Sequence, residues 1–271
     1  MLKNISLLFV LAFSLFWACQ PASPENASGS AIASRDSEAN PAAPGFNATG
    51  SDDRAIAIAD SVMLAMGGRE AWDSTRFLLW NFFGRRTLLW DKKTGWVRIE
   101  IPDDSTVYIV NIRDMSGLAR EGNRLIKNPD TLQARLQRAK SIWINDSYWL
   151  FMPFKLKDSG LTLKYLGKDT TQSGIPSYVL QLTFQGVGDT PENKYHVFVD
   201  TSSYLVRQWA YFRNAGDEKP GFITPWDDYR KYGRILLSGN RGERALTGIG
   251  IFREAPAGAF TSTEFLFGQI N

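Results

Sequence analysis

The hydrophobic positions change their period several times along the chain, and each change marks a boundary. Ile5 to Phe16 is an apolar run interrupted only by Ser6 and Ser14. It falls short of the roughly 20 residues that span a bilayer. With Lys3 ahead of it, the run fits the h-region of a secretory signal. From Gln20 to Ser51 the chain is mostly Ala, Ser, Pro, Asn and Gly, with almost no large apolar residues. Such a stretch cannot bury enough surface to offset its ordering entropy, which predicts a flexible tether. A helical period follows the cap-like Ser51-Asp52-Asp53, with Ala55, Ile58, Ala59, Val62, Ala65 and Met66 on one face, and Gly67-Gly68 stops it. Arg69 to Ser74, with Trp72, predicts one more turn.

From Phe77 the period is two. Phe77 to Phe83 is apolar on both faces, as in a strand covered on both sides. Arg85–Asp91 and Trp96–Ile101 form a hairpin about the loop Asp91 to Gly95. Strands over Thr106–Ile112 and Leu118–Ile126 follow, the second folding about Glu121-Gly122-Asn123, and their short regular spacing predicts an antiparallel meander. One helix interrupts it. Asn128-Pro129 supplies the start. Leu132, Leu136, Ala139 and Trp143 recur at i, i+4, i+7 and i+11, opposite Arg135, Arg138 and Lys140. Its C-terminal end runs into the aromatic segment Ser141 to Phe154, which must stop at or before Pro153. Asn145, Asp146 and Ser147 are expected to cap the helix end or face solvent. Strands resume over Leu161–Tyr165, Tyr178–Phe184, Tyr195–Asp200 and Tyr204–Phe212. A polar loop, Asn214 to Gly233, precedes the last strands at Arg234–Ser238, Leu246–Arg253 and Thr263–Phe267. The chain thus divides into 1–18 (signal), 19–52 (anchor and tether) and a single mainly β domain over 53–271.

Composition narrows the chemistry. The chain has 271 residues, 44% hydrophobic and 13% aromatic, enough for a large core. Lys+Arg 31 against Asp+Glu 28 gives a formal +3 without a clustered basic face, so no nucleic-acid partner is expected. One Cys and one His rule out an intramolecular disulfide and a zinc site built on those ligands; no metal and no cofactor are expected. His196 reads as an ordinary strand histidine, and no Gly-x-Ser-x-Gly elbow is present to work with it. The carboxylate pairs are Asp103-Asp104 in a turn and Asp227-Asp228 in the long loop. Trp226 and Tyr229 flank the second pair, which makes Trp226, Asp227, Asp228 and Tyr229 a candidate cavity mouth or glycan loop, since glycosidases need two facing carboxylates. Turn carboxylates are more often just solvated, so no catalytic residue is assigned and no enzyme is expected.

The single Cys sits where Leu15-Phe16-Trp17-Ala18-Cys19 resembles a bacterial lipoprotein signal, although Phe16 and Trp17 are bulkier than usual there. The resemblance implies a lipidated Cys19, a membrane anchor, and a place in the cell envelope facing the periplasm. Gln20-Pro21, with no acidic run, leans toward the outer membrane. The helix-to-strand entry Met66-Gly67-Gly68-Arg69-Glu70-Ala71-Trp72, the mid-chain helix ending at Trp143 and the strand-only C-terminal half are together similar to the LolA/LolB lipoprotein-carrier superfamily. Trp143 to Trp149 and Met152 to Asp158 also look like uncharacterised envelope lipoproteins. The resemblance covers 53–271 and is one of pattern. It implies a strongly curved antiparallel sheet, an unclosed half-barrel, with the N-terminal and mid-chain helices plugging its concave face. It further implies an apolar cavity for a lipid or a lipoprotein acyl chain. Leu78, Trp80, Trp143, Trp149, Phe151, Tyr178, Leu180, Leu182 and Trp209 are the candidate lining, with ordinary core packing as the plain alternative. A glycan-binding or glycan-cleaving lipoprotein, and a structural envelope protein with a solid core, are the other readings.

Overall fold

A computed structural model describes residues 39–267; the signal, Cys19 and the tether up to residue 38 lie outside the described residues. Among the described residues the fold is mainly β with three helices. Helix α1 is Asp53–Ala65 and α2 is Arg69–Ser74. The hinge between them is Gly67, at φ 116°, where an added Cβ would lie 2.4 Å from the Arg234 carbonyl. The strands that follow are β1 Phe77–Phe82, β2 Arg86–Asp91, β3 Trp96–Ile101, β4 Thr106–Asn111, β5 Gly117–Glu121 and β6 Arg124–Leu125. Helix α3, Pro129–Phe151, comes next, and then β7 Leu161–Thr170, β8 Pro176–Phe184, β9 Lys194–Asp200 and β10 Val206–Phe212. The last four are β11 Phe222–Pro225, β12 Asp227–Tyr232, β13 Ile235–Asn240 and β14 Leu246–Phe252.

All pairings are antiparallel, but they make two sheets and a hairpin, not one sheet. The first has the order β14-β1-β2-β3-β4-β5-β6, the second β11-β10-β9-β8-β7, and β12-β13 stands apart. The expected strongly curved half-barrel is therefore corrected: no sheet closes or curls strongly. The ladder stops at β6, which is two residues long and exposed. Helix α3 then carries the chain away, at about 1.5 Å per residue over its 23 residues, before β7 starts a new ladder. The first sheet is extended past β1 by a distant strand: β14, late in the chain, returns to pair with β1, matching Phe77 with Phe252 and Phe82 with Leu246.

Helix α3 lies between the two sheets and differs from its expected form. Asn128 caps it, its side chain accepting from Thr131 N–H at 3.0 Å, as the sequence indicates. The helix then continues through the whole aromatic run to Phe151. Its Leu136 and Ala139 are buried near β4 and β5, close enough that a Cβ at Gly117 would meet Leu136. Phe151 packs edge-on to Trp80 (5.3 Å) and Trp143 to Trp90 (5.2 Å), on the side of the first sheet. Tyr148 and Trp149 point to the second sheet, where Trp149 meets Trp209 at 4.9 Å and stacks on Phe222 at 5.8 Å.

Asp146 and Ser147 neither cap the helix nor face solvent. Both are buried inside it, and Asp146 is ion-paired to Arg86 of β2. Three further segments depart from expectation. The tether stops early, because Asn40 donates to Asp60 and the backbone of Ala43, Asn47 and Asp52 bonds to Lys157, Leu161 and Leu163. The polar loop 214–233 contains β11 and β12. Thr263–Phe267 is a strap and not a strand: Ala259, Phe260 and Phe267 cover Phe77, Leu79 and Leu89 on the outer face of the first sheet. The strap is held by two fully buried side chains. Arg98 donates to the Ala259, Ser262 and Glu264 carbonyls, and Glu100 accepts from Leu266 and Phe267 N–H.

Candidate functional site

The inner face of the second sheet is built by strict alternation. Leu161 and Leu163 on β7, Leu180, Leu182 and Phe184 on β8, Tyr195 and Val197 on β9, and Trp209 and Tyr211 on β10 all point toward α3, as their pairing register requires. Helix α3 covers the middle of this face and leaves the end where β8 turns into β9. Phe184 and Tyr195 frame that end, their rings edge to face at 5.8 Å. Tyr148 packs between them and Trp209, at 6.1, 5.5 and 5.9 Å.

The uncovered end is a cleft with two adjoining parts. One, of about 320 Å³, lies between Ile144, Tyr148 and Trp149 of α3 and Phe184, Val187 and Tyr195. The other, of about 210 Å³, is reached past Ile144, Tyr148, Phe184 and Val187 and extends to Trp143 and Leu161. The walls are mainly apolar and aromatic, with few polar groups, as ligand clefts usually are. Polar side chains also take part in the lining: Asn145, Asp189 and Thr190 in one part, the Lys155–Asp158 ion pair and Ser159 in the other. Burial, then the neighbouring Tyr195 and Asp158, pushes the Tyr148 phenol well above its ordinary value, and burial raises Tyr195 likewise. Both rings stay neutral at any physiological pH.

No family model and no curated protein matches the chain. Among solved structures it is similar to a DUF1329 family protein from Desulfovibrio piger: 14% identity over 75% of this chain and 95% of that one, TM-score 0.42. It is also similar to a domain from Vibrio parahaemolyticus assigned to outer membrane lipoprotein sorting: 9% identity, 77% and 97% coverage, TM-score 0.37. A third is MucB: 15% identity, 69% and 66% coverage, TM-score 0.26. The likeness is distant and concerns the fold alone.

The structure sorts the expected lining residues. Trp143 and Trp149 line the cleft. Leu78, Trp80, Phe151, Leu180, Leu182 and Trp209 are buried core, each at most 1% exposed, and none of them lines the cleft. Tyr178 sits at the opposite end of β8, grouped with Tyr165, Tyr204 and the Arg54 guanidinium. Ile144, Phe184, Val187 and Tyr195 were not expected. Their signal was the pair of inward-facing aromatics on either side of the β8–β9 turn, with Val187 set between Gly186 and Gly188.

The glycan loop is not a loop. Trp226 is fully buried, edge-on to Trp209 at 5.2 Å, and the Arg241 guanidinium lies 3.5 Å over its ring, so neither face is free to stack on a sugar. Asp227 and Asp228 belong to β12, where Asp228 is exposed and paired with Arg230 at 3.0 Å. Tyr229 donates to the Val206 carbonyl at 2.9 Å. His196 lies on the far face of the second sheet, beside Phe212 (4.5 Å) and within 3.3 Å of Gln181 Oε1, and burial lowers its pKa. Arg241 itself is structural. It donates to the Trp149 carbonyl at 2.7 Å, and a cation is favoured at the C-terminal end of a helix such as α3.

Proposed function

We propose that this chain is an envelope lipoprotein, anchored to the membrane through Cys19, that holds an apolar molecule in the cleft between α3 and the β8–β9 turn without transforming it. The cleft itself carries the reading: two adjoining volumes of about 320 and 210 Å³ with aromatic and aliphatic walls, at a place where α3 fails to cover the inner face of the second sheet. The first volume is of the size that buries small ligands. Two adjoining volumes with mainly apolar walls suit a hydrocarbon chain, from a lipid or from an acylated protein. The polar groups of the cleft lining support holding over chemistry, because Lys155 and Asp158 are engaged with each other. The signal-like Ile5–Phe16 run and Cys19 support the envelope placement, facing the periplasm.

Native mass spectrometry of the protein purified from its own cells, followed by lipid extraction, tests this. We expect a co-purifying apolar ligand beyond the Cys19 acyl groups, and we expect Ile144→Trp, which fills the middle of the cleft, to remove it. A protein that never carries such a ligand, or an Ile144→Trp variant that carries it undiminished, would overturn the reading.

A further inference from the structure

The cleft contains one group that its apolar walls do not explain. Tyr148 Oη is buried and has no hydrogen-bond partner. Leaving a buried hydroxyl unpaired costs about 1–3 kcal/mol. Phenylalanine would keep the ring contacts with Trp209, Tyr195 and Phe184 and avoid that cost. Two other deeply set tyrosine hydroxyls have partners: Tyr108 donates to Glu121 at 2.8 Å and Tyr229 to the Val206 carbonyl at 2.9 Å. Several tryptophan nitrogens, including Trp143 Nε1, are also unpaired, so those say little. Among the described residues Tyr148 is the tyrosine that departs from the rule, and it lines both parts of the cleft. An unsatisfied buried polar group in a native structure calls for an explanation, and functional sites are where such local rules are broken.

The charges around it restrict what that ligand is. Lys155 is the cation lining the cleft, and Asp158 already engages it. Asp158 and Asp189 place a carboxylate in the lining of each part. An anionic head group would be desolvated there without a counter-charge. An uncharged carbonyl oxygen needs only the hydroxyl donor that Tyr148 offers. Because Oη is itself buried, a ligand reaches it only when part of the cleft wall gives way, and Val187 is part of that wall. Gly186 and Gly188 flank Val187 at φ 65° and 75°, and nothing is packed where their Cβ atoms would be.

We propose that the cleft takes an uncharged acyl ester, with its hydrocarbon chain along Ile144, Phe184 and Val187 and its ester carbonyl accepting from Tyr148 Oη, and that it discriminates against the free fatty-acid anion. This rests on the ligand-holding reading above and adds the class of ligand.

The test uses the mature chain from residue 19 with Cys19→Ala, loaded with the apolar dye N-phenyl-1-naphthylamine. The dye is competed off by monooleoylglycerol or by oleate, at about pH 8 where the acid is ionised. We expect the ester to compete at about fivefold or more lower concentration than oleate, the worth of one hydrogen bond. Tyr148→Phe should erase most of that ratio while melting no lower than the parent. Asp158→Asn, which frees Lys155, should narrow the ratio from the other side by strengthening oleate. A cleft that never takes up the dye defeats the ligand-holding reading. Dye uptake with oleate competing as well as the ester, or a ratio that survives Tyr148→Phe, leaves that reading standing and overturns this proposal.

Discussion

Replacing Arg86 by Met isolates the buried charge pair that fastens α3 to the first sheet. Asp146 is fully buried within the helix, and Arg86 on β2 grips it with two bonds, Nε to Oδ2 at 2.6 Å and Nη2 to Oδ1 at 2.7 Å. Met keeps most of the aliphatic stem and removes the charge. The carboxylate is then left with Asn145, which donates to Oδ1 at 2.9 Å. An uncompensated buried carboxylate costs about 3–5 kcal/mol. The Arg86 side chain is 20% exposed, so solvent already weakens the pair and the lower end, about 3 kcal/mol, is expected. The double variant Arg86→Met with Asp146→Leu removes both charges and should recover most of that loss, giving a coupling of about 2–3 kcal/mol.

Urea unfolding followed by tryptophan fluorescence reads these numbers directly, and pH adds a sign. Burial pushes the Asp146 carboxyl above its ordinary value while Arg86 and Asn145 pull it back. With the folded pKa above the unfolded one, the native state binds more protons in that window, and stability falls as pH rises through it. Losing Arg86 raises the folded pKa further. The deficit of Arg86→Met should therefore shrink as the pH is lowered from 7 to 5. A deficit below about 1 kcal/mol, or one that grows on acidification, would refute the account of a buried, charge-compensated pair.

Two further outcomes are expected. Partial burial tends to raise the Asp200 carboxyl, but hydrogen bonds from Ser202 (N–H 2.8 Å, Oγ 2.7 Å) and Ser203 (Oγ 2.8 Å) outweigh it and hold the group below its usual range. Its stabilisation is present above the unfolded pKa of about 3.9 and is lost as pH falls toward the folded value, so Asp200→Asn should cost about 1–2 kcal/mol at neutral pH. That deficit should diminish below about pH 4, and one that stays constant down to pH 2 would contradict the assignment. Gly67→Ala meets both a left-handed φ and the Arg234 carbonyl, so it should cost about 2 kcal/mol or more, against about 1 for Gly84→Ala, where φ is 72° and the space is open. Equal losses in thermal melts of the two variants would show that the close approach at Gly67 is not felt.

How far the sequence could be read follows from the range over which each signal acts. The stop at Gly67-Gly68, the Asn128 cap and the fully covered strand β1 are local matters of backbone freedom, capping and alternation, and the structure has them where the sequence indicates. The site was half legible. Trp143 and Trp149 were reached because aromatics on a helix end attract attention. Phe184 and Tyr195 were passed over because two residues far apart in sequence become one wall only when β8 and β9 pair. Trp226 misled for the converse reason. Polar neighbours made its segment look like an exposed loop, whereas burial under Arg241 depends on β13 and the turn after it.

Taken alone, the sequence determined the class of element along most of the chain, the exclusion of an intramolecular disulfide and of a zinc site built on His and Cys, and the signal-like start with its single Cys. Those are properties of composition and of period, which each segment carries with it. Only the tertiary structure decided that the strands form two sheets, that residues 259–267 strap the outer face of the first, and that a cleft opens beside Tyr148. Hydrophobic period says which face of an element must be covered. It does not say by what, because the covering partner, whether β14 on β1, Ser262 on Arg98 or α3 across the second sheet, comes from a distant part of the chain and is chosen by packing.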